Sequence, residues 1–134
     1  GGLLLLGRSL TDDQGAPQPM AGLLPFQAAR GSLSLGYRDA IASRDSLVLR
    51  QGDRLCGHEF HRWQLQADPQ AAGDPLWQLE GWGAPRRPEG FGGPELHASW
   101  LHLHWGGCPQ IPRRLARAAR STGVPIKALA APAP

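Results

Sequence analysis

"LHASWLHLHWGG", residues 96 to 107, places three histidines and two tryptophans within twelve positions. Its alternation of apolar and polar residues predicts an extended strand over 95–105, the last of the chain. Successive side chains of a strand face opposite sides. Trp100, His102 and His104 are therefore expected on one face. Leu101, Leu103 and Trp105 fall on the other, an apolar face suited to packing on a helix. His97, near the strand's start, has the opposite parity to His102.

Working outward, "CGHEFHRWQL" (56–65) is a second predicted strand, with Glu59 and His61 on one face and His58 and Phe60 on the other. If the two strands are neighbours, the pairs His102/His104 and Glu59/His61 could converge. "SLSLGYRDA" (32–40) and "LWQLEGWG" (76–83) also alternate as strands, and "SLVLRQGDRL" (46–55) reads as two extended segments around the turn "RQGD". "LLLLGRSL" (3–10) predicts a short helix buried at its start, with Gly1 and Gly2 in a tight turn before it. "TDDQGAPQP" (11–19), "DPQAAGDP" (68–75) and "APRRPEGFGGP" (84–94) carry the turn-forming residues of loops or irregular chain. "MAGLLP" (20–25) is a short apolar segment stopped by Pro25. Pro112 suits the first turn of a closing helix over "PRRLARAARSTG", with Leu115, Ala118 and Ala119 inward and Gly123 ending it. Together these predict an α/β chain of mostly strands with a helix near each end, resembling the later part of an α/β domain.

The chain has 134 residues, enough for one domain with a core, and its 41% hydrophobic and 19% charged content suits a globular protein. Its 18 glycines and 13 prolines predict many turns. The net charge of +3 is small, and the one local basic cluster, Arg113, Arg114, Arg117 and Arg120, has no aromatic residues interleaved. That argues for a solvated helix face over a nucleic-acid surface. Cys56 and Cys108 are far apart and form no CxxC pair, so a reducing compartment is expected. The run Leu3–Leu6 is too short to span a bilayer and lacks a signal-peptide layout. No P-loop sequence occurs.

Five histidines within 47 residues admit three readings. They are satisfied structural residues. Or a metal-dependent small-molecule enzyme uses His102, His104 and Glu59 or His61 to hold zinc or iron. Or one imidazole is a general base toward a nucleophile. The third needs a nucleophile on a sharp strand-to-helix turn, and neither Cys56 nor Cys108 occupies one.

"MAGLLP", "LGYR" (35–38), "GHEFH" (57–61), "EGF" (89–91) and "HASWLHLHW" (97–105) occur in the order and at roughly the spacing of one family. From Gly1 to about Arg120 the chain resembles the C-terminal glutamine amidotransferase domain of cobyrinic acid a,c-diamide synthases. The related cobyric acid synthases usually carry a "YLHG"-type motif and a "GYEIH"-like segment at these places.

The resemblance implies a partial class I glutamine amidotransferase-like domain over 1–123 and a tail over 124–134. It implies a "CGG" elbow whose glycines are Gly1 and Gly2, placed to hold an oxyanion with backbone N–H groups, and whose nucleophilic cysteine lies just upstream of Gly1. The isolated chain is then expected to be inactive as a glutaminase. The family's catalytic histidine falls on His102. His104 could orient it, and Glu59 and His61 become substrate-contacting or supporting groups, with no metal. The implied reaction is ATP-dependent, glutamine-hydrolysing amidation of the a- and c-carboxylates of cobyrinic acid, a ligase step of cobalamin biosynthesis in the cytoplasm. Its partners are glutamine, cobyrinic acid and an ATP-binding synthetase domain that holds ATP and Mg²⁺, with no nucleic acid and no membrane. A non-catalytic interaction module remains the other alternative.

Overall fold

The computed structural model describes residues 1–67, 71 and 73–121. The chain is mixed α/β and mostly strand. A short helix α1 (Gly2–Leu6) is followed by β1 (Ser9–Thr11), β2 (Pro17–Pro19), β3 (Phe26–Ala42), β4 (Arg54–Ala67), β5 (Trp77–Gly81), β6 (Ala84–Glu89), β7 (Phe91–Gly93), β8 (Leu96–Ala98), β9 (Leu101–Leu103) and the closing helix α2 (Gln110–Ser121).

The long antiparallel pair β3–β4 organises one seven-stranded sheet of order β2-β1-β3-β4-β9, with β5 also pairing β3 and β6 pairing β5. β1 runs parallel to β3, and the other pairs are antiparallel. β7 and β8 form a separate ribbon. β3 is long enough to serve two apolar clusters. Its start, Phe26 and Ala28, packs with Leu3, Leu4, Leu24 and Ala98. Its end, Ala40 and Ala42, packs with Leu49, Leu76, Trp77, Leu79, Leu101 and Ile111.

The strands expected over 32–40 and 56–65 lie within β3 and β4, and the one expected over 76–83 is shortened to β5, because Trp82 and Gly83 form the turn into β6. Other segments differ from expectation. The first helix stops at Leu6, because Gly7 is extended (φ −69°, ψ 179°) and Arg8 N–H donates to the Phe26 carbonyl at 2.8 Å. That capture draws Ser9–Thr11 into the sheet. Residues 11–19 are the tip and second arm of a hairpin, its turn held by Asp12, whose carboxylate accepts the N–H groups of Gln14 and Ala16 at 2.9 Å each. Residues 46–50 are not extended. The Ser46 hydroxyl accepts the Leu49 N–H at 3.2 Å, and the Arg50 guanidinium donates to the carbonyls of Ser46 and Leu49.

Residues 84–93, expected to be irregular, form β6 and β7. Pro85 and Pro88 are accommodated because β6 pairs with β5 alone in the described sheet, and proline is tolerated on an edge strand. In α2, Pro112 sits in the first turn as expected, but the inward stripe is Ile111, Arg114 and Ala118. Leu115 is 37% exposed and Ala119 is also exposed. Arg114 holds the helix in this rotation by donating to the Val48 carbonyl at 3.0 Å and pairing with Asp53. The expected stop at Gly123 and the tail over 124–134 lie outside the described residues, as does part of the 68–75 loop.

Candidate functional site

The strand carrying His102 and the strand carrying Glu59 are neighbours. Their register pairs His58 with His102 and Glu59 with Leu101. Directly opposed residues of an antiparallel pair project to the same side. His102 therefore shares a face with His58, whose ring meets Tyr37 edge-on with centroids 5.4 Å apart. Glu59 and His61 lie on the opposite face. The convergence of His102/His104 with Glu59/His61 does not occur, and a metal centre drawing on both pairs is ruled out by the register. Among the described residues, no three His, Cys, Asp or Glu side chains group closely enough to hold a metal ion.

Gly57 sets how closely β9 approaches. It pairs with Leu103, and a Cβ there would meet Leu101 Cγ at 2.7 Å and the His102 carbonyl oxygen at 2.8 Å. Only a residue without a side chain admits that approach. His102 itself is exposed on the open side of the sheet. His104 lies beyond the end of β9, its ring beside Gly106 and its carbonyl accepting from Gly107 N–H at 2.9 Å and Cys108 Sγ at 3.2 Å. No hydrogen bond joins it to His102 among the described residues.

The predicted single strand over 95–105 is broken at Ser99–Trp100 into β8 and β9, which belong to different sheets. Glu89 holds the break. Its carboxylate accepts the Trp100 N–H at 3.0 Å, the Ser99 hydroxyl at 2.6 Å and Trp77 Nε1–H at 2.6 Å. The Ser99 hydroxyl oxygen in turn accepts the Leu101 N–H at 2.9 Å. The break turns Trp100 away from the His102 face, against the expectation from strand parity. Its ring lies flat on His61, with centroids 4.1 Å apart and planes 12° apart.

On this second face Glu59 is fully buried at the centre of a charge cluster. Arg38 Nε donates to Oε2 at 2.8 Å, while Arg87 and His61 Nε2 meet Oε1 at 2.6 and 2.9 Å. The other His61 nitrogen, Nδ1, lies 2.9 Å from the Trp63 carbonyl oxygen. Gly36, at φ +144°, makes room for Arg38, whose NH1 would otherwise lie 2.7 Å from a Cβ. Burial alone would raise the pKa of Glu59. The hydrogen bonds from His61 and Arg87, the Arg87 charge and a hydrogen bond from Ser34 outweigh it and hold the carboxyl far below its ordinary value. Glu89 is moved the other way. Burial raises its pKa against the hydrogen bonds it accepts, and the Glu59 charge adds to the rise.

These residues wall a cleft of about 720 Å³, with Trp63, Phe91 and Trp100 as its aromatic sides and Arg87, Glu59 and Glu89 among its polar ones. Sequence reasoning singled out Glu59 and His61 but not Arg38, Arg87 or Glu89. Arg38 and Glu89 stand inside the motifs "LGYR" and "EGF", whereas Arg87 lay in a segment read as irregular. Gly1 caps α1 through its carbonyl, which accepts from Leu5 N–H at 3.3 Å, and Gly2 is the first helical residue. A Cβ at either would meet nothing within 4 Å. Cys56 is exposed in β4, whereas Cys108 is buried, and burial raises its thiol pKa.

No family model matches the chain. The hydrogenobyrinate a,c-diamide synthase of Thermobifida fusca is 46% identical over 120 residues, 87% of this chain and 24% of that protein. Over most of its length the chain is similar to one part of an a,c-diamide synthase. The cobyrinate a,c-diamide synthase of Gloeobacter violaceus is 42% identical over 118 residues, 87% of this chain and 25% of its own length. The hydrogenobyrinate a,c-diamide synthase of Streptomyces coelicolor is 44% identical over 123 residues, 90% of this chain and 23% of its own length. The chain thus spans about a quarter of the length of these a,c-diamide synthases. Among the described residues no helix is long and apolar enough to cross a membrane.

Proposed function

We propose that this chain is part of the glutamine-hydrolysing domain of a cobyrinate or hydrogenobyrinate a,c-diamide synthase acting in cobalamin biosynthesis in the cytoplasm. The observation that carries the reading is the 46% identity with the Thermobifida fusca enzyme over 87% of the chain. His102, exposed on the open face of the sheet, serves as the general base. It takes the proton of a cysteine thiol as the sulfur attacks the side-chain carboxamide of glutamine. Backbone N–H groups at Gly1 and Gly2 receive the developing oxyanion. Collapse of the adduct releases ammonia and leaves a thioester, which water cleaves to glutamate.

Cys108, buried and donating to the His104 carbonyl, and Cys56, within β4, are not assigned as the nucleophile. By the same reading the 134-residue chain alone does not hydrolyse glutamine. A synthetase domain outside this segment would hold ATP and Mg²⁺, which would supply phosphoryl activation of the a- and c-carboxylates of the corrinoid, with phosphate as the group that ammonia displaces. The test is His102→Ala in a full-length synthase carrying this segment. Glutamine-dependent diamide formation is lost and ammonia-dependent formation is kept. Loss of both activities, or retention of both, overturns the assignment of His102.

A further inference from the structure

The cleft behind the sheet is the strongest feature that the amidotransferase reading leaves unused. It lies on the face opposite His102, and its volume of about 720 Å³ is that of a small-molecule pocket. Two guanidiniums, those of Arg38 and Arg87, face the single carboxylate of Glu59. Arg38 is buried and spends its donors on Glu59 and on the carbonyls of Tyr37 and Leu35. Arg87 differs. Its side chain is 33% exposed, and only its NH2 is bonded, which leaves NH1 and Nε without a hydrogen bond to any described residue. Glu89, the other carboxylate of the wall, has its oxygens turned to Trp77, Ser99 and Trp100, which weakens it as a competitor for Arg87.

The cleft therefore holds a pre-set guanidinium: whichever NH2 hydrogen Glu59 takes, the other forms with NH1 or Nε an edge that suits a bidentate carboxylate. Glu59 holds it in place, so little side-chain freedom is left to lose on binding. Beside it stand flat apolar walls, Trp100 among them, its ring fixed by stacking on that of His61. We propose that the cleft binds a small molecule that joins a carboxylate to a flat apolar body, the carboxylate on Arg87 and the body against Trp63 and Trp100.

The probe is 1-naphthylacetate, with neutral 1-naphthylacetamide as its isosteric control, titrated into the full chain by calorimetry and by protein NMR. The acid binds saturably, and the amide binds at least about tenfold more weakly. Arg87→Leu brings the acid down to the level of the amide, and Arg86→Leu, at an exposed residue that does not line the cleft, leaves it unchanged. A thermal melt of each variant establishes that it is folded, and the acid–amide contrast on the unaltered chain stands even if Arg87→Leu does not fold. No saturable binding of the acid overturns the proposal. So does equal binding of acid and amide, or undiminished binding by folded Arg87→Leu.

Discussion

His58 and His102 face each other across β4 and β9 on one side of the sheet, and this pairing puts Glu59 on the other. One register thus separates an exposed imidazole from a buried carboxylate that sequence parity alone left free to meet. A register shift of one residue would reverse the arrangement, since side chains alternate with a period of two.

Gly57 is the residue on which that register rests. Gly57→Ala puts a methyl group against Leu101 Cγ and the His102 carbonyl, both under 3 Å from the new atom. Overpacking of this kind costs about 1–3 kcal/mol. Urea unfolding is expected to show that loss, with amide exchange accelerated in β9 first. An alanine variant as stable as the parent would mean that β9 is not held this closely.

Glu59→Gln removes the carboxylate paired with the buried guanidinium of Arg38. Breaking one side of a buried pair costs about 3–5 kcal/mol, because the remaining charge stays out of water. Replacing both residues, Arg38→Leu with Glu59→Leu, is expected to cost less than the single change. Equilibrium denaturation decides, and a single-variant loss below about 1 kcal/mol would contradict the cluster's geometry.

Glu59 and Glu89 pull stability in opposite directions with pH. The folded pKa of Glu59 lies below its ordinary 4.5, so its contribution is present above that value and is lost as pH falls below it. The folded pKa of Glu89 lies above 4.5, so its contribution is full below that value and is lost as pH rises through the folded pKa. Glu89→Gln keeps an acceptor at the Ser99–Trp100 break and removes the second effect. Relative to the parent, the variant is expected to gain stability as pH rises from 4.5, read from urea melts at a series of pH values. A parent–variant difference independent of pH would refute the shift at Glu89.

Ile111 and Leu115 separate the observed rotation of α2 from the one expected from sequence. Ile111→Ala empties a buried site against Leu49 and Leu101 and is expected to cost about 2–5 kcal/mol. Leu115→Ala, at a partly exposed position, is expected to cost under about 1 kcal/mol. Thermal unfolding of the two variants gives the ranking, and a reversed order would restore the other face as the inward one.

The sequence by itself determined the mostly-strand α/β chain, the alternating strands through 32–40, 56–65 and most of 76–83, the helix at each end and the resemblance to part of the a,c-diamide synthases, because local periodicity and motif order are written residue by residue. It also singled out Glu59, His61 and His102 as chemically unusual. Only the tertiary structure decided which of them meet. Strand parity states which residues share a face of one strand, but the register between β4 and β9 states which face of the sheet, and register comes from contacts far apart in sequence. Likewise the break at Ser99–Trp100 is imposed by the carboxylate of Glu89, ten residues upstream, and no local preference at 95–105 reveals it. The rotation of α2 is set by Arg114 reaching Val48 and Asp53, and the helix's own apolar pattern favoured a different stripe. In these last two cases a polar contact satisfied only in the folded chain overrode what the neighbouring residues preferred.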